Sequence, residues 1–252
     1  MYNPFSLDGK TILVSGASSG IGRQCAIDCS KMGAKLVLVA RNEDRLHETV
    51  SQMEGNYHGV YSYDLCDIEG IKELVTKIVA DNGKLDGFIH SAGIEITKPL
   101  KLITSEDYSQ VFRINSLSSF EFVRQLSSLK NFNRGGSIVL IASITAIIAR
   151  NGLTAYSASK GAMVSAARVM ALELAKREIR VNSISPGTIL TPLMQNYLTS
   201  LNEEDYKKRI DGFPLGLGKT TDISNTCIFL MSDASRWITG QNLIVDGGYT
   251  IK

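Results

Sequence analysis

Seven short apolar runs rich in β-branched residues recur along the chain, and longer stretches with helical periodicity separate them. The runs are KTILVSG, KLVLVA, HGVYSYD, LDGFIHSAG, GSIVLIAS, IRVNSISPG and NLIVDGG. Most are continuously apolar rather than alternating, as strands covered on both faces should be. Helical patterns lie between them, at residues 21–32, 43–53, 68–82, 106–130 and 155–176. A strand–helix–strand rhythm of this kind means right-handed βαβ units and a parallel sheet. No repeat, low-complexity tract or linker-like stretch interrupts it. The expectation is a single α/β domain over residues 1–252, a doubly wound sheet of seven strands. In such a sheet the ligand binds outside the carboxyl ends of the strands, so the residues just after each strand are the ones to read.

After the first run comes SGASSGIG, in which Gly16, Ser18, Ser19, Gly20, Ile21 and Gly22 are candidate phosphate-binding residues. The glycines let the backbone approach a pyrophosphate closely, and a helix beginning near Gly20 points its N–H groups at the anion. The spacing is G-x-x-x-G-x-G rather than G-x-G-x-x-G, and no G-K-[ST] follows, which excludes a P-loop. A purely structural turn would use the same glycines. After the second run, Ala40 stands where a site for NAD carries an acid for the ribose 2′-hydroxyl, and Arg41 follows. Arginine cannot accept from a hydroxyl but grips a 2′-phosphate with a planar fork. NADP(H) is therefore expected over NAD(H), unless Arg41 is only a solvated residue at a helix start. After the third run, Asp64 is placed to accept from an adenine amino group, with Leu65 beside the ring. The alternative is capping, with Asp67 as N-cap of the next helix and Asp64 assisting. After the fourth run come Ser91, Ala92 and Gly93, the last two small enough for a ribose to approach the backbone.

After the fifth run comes Ser143, followed by Tyr156 and Lys160. The last two are four apart on a helical stretch and share one face. A tyrosine with an ordinary pKa of about 10 is a reluctant base at neutral pH, and a lysine cation nearby favours its phenolate. Ser143 would hydrogen-bond a substrate oxygen and stabilise charge developing there.

Composition limits the other classes. With 27 basic and 25 acidic side chains the net charge is +2, which gives no footprint for nucleic acid or an anionic membrane. The longest nearly apolar run, residues 137–149, is too short for a membrane span. MYNPFSLDGK has no leader-like pattern. Cys25 and Cys29, four apart without nearby histidines, make a poor zinc site, so no metal is expected. Reduced, buried thiols imply a cytoplasmic location.

From LDGKTILVSGASSGIG to GQNLIVDGGY the chain resembles the short-chain dehydrogenase/reductase family. The resemblance implies a Rossmann-type fold, a nicotinamide cofactor and a catalytic tetrad carried by Asn115, Ser143, Tyr156 and Lys160. Asn115, in FRINSLSS, would hold a water in a proton relay with Lys160, and Lys160 would also reach the nicotinamide ribose. In SPGTILT, Pro186, Gly187, Ile189 and Thr191 would meet the carboxamide and diphosphate, with residues 191–210 as a substrate lid. Two positions depart from the family pattern: Ser15 replaces a threonine, and Ser91 replaces the asparagine of Asn-Ala-Gly.

Within the family the chain looks most like the 3-oxoacyl-acyl-carrier-protein reductases. Arg134, placed before the fifth strand, and Arg177 would face the acidic carrier protein, although arginine near a helix C-terminus also complements the dipole. The expected activity is NADPH-dependent reduction of a ketone, an acyl thioester in that reading. The alternatives are a sugar, polyol or steroid dehydrogenase and a non-catalytic dinucleotide-binding regulator. Glu95, Ile144, Thr145, Arg150, Met194 and Tyr197 are the expected pocket positions. A homotetramer pairing the helices at residues 106–130 and 155–176 is also implied by the resemblance.

Overall fold

The computed structural model describes residues 2–55, 58–199 and 201–251, apart from the side chains of Leu193, Lys208 and Arg209. Strands β1 (Thr11–Ser15), β2 (Lys35–Ala40), β3 (Gly59–Ser62), β4 (Leu85–His90), β5 (Phe132–Ile141), β6 (Arg180–Pro186) and β7 (Asn242–Val245) pair in parallel. Their order across the seven-stranded sheet is β3-β2-β1-β4-β5-β6-β7. The chain thus winds outward from β1 in one direction, then returns to β4 on its other side. The switch point between β1 and β4 is where a doubly wound sheet opens a crevice.

Helices cover both faces. Successive strand residues point to opposite sides, so Ile12 and Val14 pack with Cys25, Cys29, Ile223 and Cys227, while Leu13 packs with Val75, Phe122 and Met163. The first group includes α1 (Gly20–Lys31) and α9 (Thr220–Met231); the second includes α3 (Ile71–Asn82), α5 (Ser118–Leu126) and α6 (Thr154–Leu174). Burial on both sides is why the strands read as continuous apolar runs. The remaining helices are α2 (Glu43–Val50), α4 (Ser105–Phe112), α7 (Pro192–Thr199) and α8 (Glu203–Asp211). Among the described residues no helix is long and apolar enough to cross a membrane.

The helix expected over residues 106–130 is instead two helices, α4 and α5, joined by a π turn at Arg113–Leu117. Hydroxyl groups support the break: Ser118 Oγ donates to the Ile114 carbonyl at 2.7 Å and Ser119 Oγ to Ser116 at 2.6 Å. Such side-chain bonds compete with the regular helical ladder. The third helix begins at Ile71, not residue 68, and its N-cap is Gly70. Asp67 serves the turn before it, accepting from the Gly70 N–H at 3.1 Å. The lid expected at residues 191–210 forms α7 and α8, with residue 200 outside the described residues.

Candidate active site

The crevice begins at the turn after β1. Gly16 has φ +74°, and a Cβ there would lie 2.6 Å from the Ala92 amide nitrogen. No other residue fits, because the turn after β1 rests directly on the main chain after β4. Gly22 is tighter still, with a would-be Cβ 2.3 Å from the Gly16 carbonyl oxygen. It packs α1 onto the turn and does not line the crevice. At the α1 N-cap, Ser19 makes no side-chain bond to the first-turn N–H groups, so these remain available to an anion.

From this turn a cleft of about 710 Å³ runs along the strand ends. Gly16, Ser18, Ser19, Gly20 and Ile21 line it at the α1 end, and Arg41, Asp64 and Leu65 at the ends of β2 and β3. Ser91, Ala92, Gly93, Pro186, Gly187, Ile189 and Thr191 form the rest of the expected wall, together with Ser143, Tyr156 and Lys160. Asn42 and Arg45 join Arg41 there without having been foreseen. Asp64 also closes its own turn, accepting from the Cys66 N–H at 3.0 Å.

The four candidate catalytic residues converge where β4, β5, α6 and the π turn meet. Asn115 is fully buried and bound on both sides of its amide. Its Oδ1 accepts from the Ile94 N–H at 2.8 Å, and its Nδ2 donates to the Ile94 carbonyl and to Ser159 Oγ, each at 3.0 Å. Ser159 in turn donates to the Tyr156 carbonyl at 2.7 Å, so the π turn is fastened to α6 beside Tyr156. Lys160 Nζ donates to the Ile141 carbonyl at 2.7 Å and lies 5.7 Å from the centre of the Tyr156 ring. Ser143 Oγ receives the Thr145 N–H at 3.2 Å and stands 3.0 Å from its hydroxyl.

The electrostatics correct one expectation. Burial pushes Tyr156 up to about 12; Glu95 adds to the rise, and the hydrogen bond with Ser143 opposes it. Lys160 is not among the groups that move the phenol, and burial pushes Lys160 itself down to about 7. A tyrosine held neutral is a proton donor rather than a base.

A histidine that the sequence reading passed over lies beneath this group. His90 ends β4, fully buried, with Nδ1 2.8 Å from Ser15 Oγ. Burial first, then the charge of Lys160, pushes it down to about 3. Its Nε2 has no hydrogen-bond partner among the described residues. Ser15, one of the two departures from the family pattern, thus bonds through its hydroxyl to this histidine. The signal was in the sequence, a histidine directly before Ser91.

A second cavity of about 130 Å³ opens from the catalytic group. Glu95, Ile144, Thr145, Arg150 and Met194 line it as expected; Tyr197 does not. Phe213 and Tyr249, unforeseen, form an aromatic wall with ring centres 4.5 Å apart. Tyr249 is brought there by a turn in which Asp246 accepts from the N–H groups of Gly248 and Thr250, at 2.9 and 2.8 Å.

The two arginines expected to face a carrier protein have partners within the chain. Arg134 lies inside β5, not before it, and pairs with Glu178 at 2.5 Å. Arg177 donates to the carbonyls of Ser127 and Phe132, each at 2.5 Å, closing the loop after α5.

Comparison with known proteins agrees with the fold. A family model described as enoyl-(acyl carrier protein) reductase matches residues 16–250. A glucose 1-dehydrogenase of Gluconobacter oxydans is 35% identical over 96% of this chain and 92% of its own. A 3-oxoacyl-[acyl-carrier-protein] reductase of Thermotoga maritima is 33% identical over 97% of this chain and 99% of its own. Among solved structures, a putative short-chain alcohol dehydrogenase from Sinorhizobium meliloti superposes with a TM-score of 0.92 at 29% identity, covering 99% of this chain and 100% of the other.

Proposed function

The chain belongs to the short-chain dehydrogenase/reductase family, and from that premise we propose that it is an NADPH-dependent reductase of a ketone. The observation that carries this reading is the convergence of Asn115, Ser143, Tyr156 and Lys160 where the cleft meets the second cavity. A dinucleotide fits the cleft: the turn glycines leave room for a pyrophosphate, and the α1 N-terminus faces it. At the β2 end the lining side chains are Arg41, Asn42 and Arg45, with no carboxylate from that segment. Two guanidinium groups there suit a 2′-phosphate and give a ribose 2′-hydroxyl no acceptor. Asp64 and Leu65 would hold the adenine, Ser91 to Gly93 and Lys160 the nicotinamide ribose. Pro186, Gly187, Ile189 and Thr191 would hold the carboxamide and diphosphate.

Bound there, the nicotinamide supplies the hydride. Ser143 Oγ hydrogen-bonds the substrate carbonyl oxygen, and Tyr156 donates its phenolic proton to that oxygen as the alcohol forms. Lys160, and a water held near Asn115, return a proton to Tyr156. The neutral phenol is the donating form, so reduction suits neutral pH and the reverse oxidation gains at alkaline pH. The acyl-thioester reading draws support from the Thermotoga relative. Arg177 is taken up by the Ser127 and Phe132 carbonyls, whereas Arg134 pairs with Glu178 at the exposed surface. We place the enzyme in the cytoplasm because all four cysteines are unbonded thiols. Exposed Val169 and Leu172 on α6 suit the pairing of a homotetramer.

Replacing Tyr156 with Phe tests the reading. Turnover followed at the nicotinamide absorbance should fall about 10²–10⁴-fold, with NADPH titration by fluorescence nearly unchanged. Undiminished turnover excludes the proposed proton donor.

A further inference from the structure

Six residues line both the nucleotide cleft and the smaller cavity: Glu95, Ser143, Tyr156, Gly187, Ile189 and Met194. They surround the place where a reacting carbon must sit, since the two hydroxyl groups that would hold its oxygen are among them. Glu95 is the one charged residue of the six. It lies in the loop after β4, and Tyr156 feels its charge. Among the described residues its carboxylate has one hydrogen-bond partner, Thr97, whose Oγ1 donates to Oε1 at 3.1 Å.

A carboxylate at a cavity mouth is ordinarily just solvated. Glu95 is exposed at this mouth and, among the described residues, keeps only the Thr97 hydroxyl; a substrate bound against Ser143 and Tyr156 would cover it and strip its water. A buried acceptor left without a donor carries a large penalty, larger still when it is charged. A ketone flanked only by hydrocarbon would therefore bind at a loss. A ketone with a hydroxyl on the adjacent carbon would return a charge-assisted hydrogen bond. The rest of the smaller cavity adds size and shape. Ile144, Ile148, Phe213 and Tyr249 give it an apolar and aromatic wall, Thr145 and Thr188 add hydroxyl groups, and Arg150 lines this cavity but not the cleft. At about 130 Å³ it lies well below the roughly 300–1,000 Å³ of drug-sized sites.

Resting on the reductase reading above, we propose that Glu95 is the specificity-determining residue of this site. It accepts a hydrogen bond from a hydroxyl on the carbon next to the reacting carbonyl. The substrate class is then a small α-hydroxyketone, with a vicinal diol as its reduced form. In the reduction a hydride from NADPH forms the new C–H bond, the carbonyl π pair moves to oxygen, and that oxygen takes the Tyr156 proton. The α-hydroxyl is unchanged by the reaction and serves only recognition.

The test compares 2-hydroxycyclohexanone with cyclohexanone and with the N-acetylcysteamine thioester of acetoacetate. Wild type, Glu95→Leu and Glu95→Gln are each first checked by NADPH titration. Wild type should favour the hydroxyketone over cyclohexanone in kcat/KM by about 10- to 100-fold. In Glu95→Leu that ratio should collapse toward unity, mainly through KM, by a loss for the hydroxyketone together with a gain for cyclohexanone. Glu95→Gln, which keeps an acceptor without the charge, should fall between. With cis-1,2-cyclohexanediol and NADP⁺, both variants should reach full oxidation rate at lower pH than wild type, since removing the negative charge lowers Tyr156. A ratio unaltered in Glu95→Leu overturns the proposal. So does an unmoved pH profile, a wild-type preference for the thioester, or failure of nucleotide-binding wild type to act on the hydroxyketone. The reductase reading fails by different signs: absent NADPH binding, or turnover that survives Tyr156→Phe.

Discussion

The two ends of the cleft are built from different material. The nucleotide end is backbone: Gly16 against the Ala92 main chain, Gly22 against the Gly16 carbonyl, and the open N–H groups of α1. The substrate end is side chain: Glu95 after β4, Ile144 and Arg150 after β5, Met194 on α7, Phe213 after α8 and Tyr249 after β7. Close backbone approach tolerates very few residue types, and a left-handed turn fewer still. A wall of side chains accepts any set that fills its space. The first kind of site fixes its own chemistry, while the second leaves the substrate open to change without disturbing the fold.

If that contrast is right, the largest effect belongs to the smallest substitution at the nucleotide end. Gly16→Ala adds one carbon where the nearest atoms are main-chain atoms of Ser91 and Ala92 that cannot swing away. Left-handed strain and the forced separation of the two turns should together cost about 2–4 kcal/mol, read by urea denaturation, with NADPH titration lost or strongly weakened. Ile148→Ala, at the substrate end, should leave NADPH titration intact. Equal losses at both ends would erase the distinction. Arg41 is next in size. It is an exposed side chain serving the backbone-built end, and Arg41→Ala should weaken NADPH about 10- to 100-fold while changing NADH little. A parallel loss for both nucleotides would mean that Arg41 does not read the 2′-phosphate.

The same contrast explains what the sequence could convey. The seven strand runs and the Gly16–Gly22 turn are local in sequence and narrow in allowed residues, so spacing carries them. The Ser143, Tyr156 and Lys160 set is legible because two members share a helix face and the third follows a strand. The π turn at Asn115 is hidden: residues 106–130 keep their helical period through it, and only the pairing with Ile94 and Ser159 shows why the helix widens there. Phe213 and Tyr249 are hidden for another reason. Nothing local marks residues that meet only because the turn after β7 packs on the segment after α8. The rise of Tyr156 is hidden as well, since burial and the charge of Glu95 both depend on three-dimensional surroundings.

The Ser15–His90 pair cuts across the contrast, for it belongs to the nucleotide end yet is made of side chains. It therefore offers the finest test. His90 is held neutral in the fold, down to about 3, whereas in the unfolded chain it gains a proton below its ordinary value of about 6.5. Its contribution to stability is therefore present above pH 6.5 and is lost as pH falls toward the folded value. The slope in that window is one proton, about 1.4 kcal/mol per pH unit. His90→Asn keeps a short polar side chain opposite Ser15 and removes the titration. Urea denaturation at pH 7.5, 6 and 5 should show wild type losing stability more steeply than the variant by about that slope. Parallel curves would mean that the buried ring takes up a proton in the fold. The Ile114 and Asn115 carbonyls, which already oppose the fall of His90, would then hold a cation beneath Lys160.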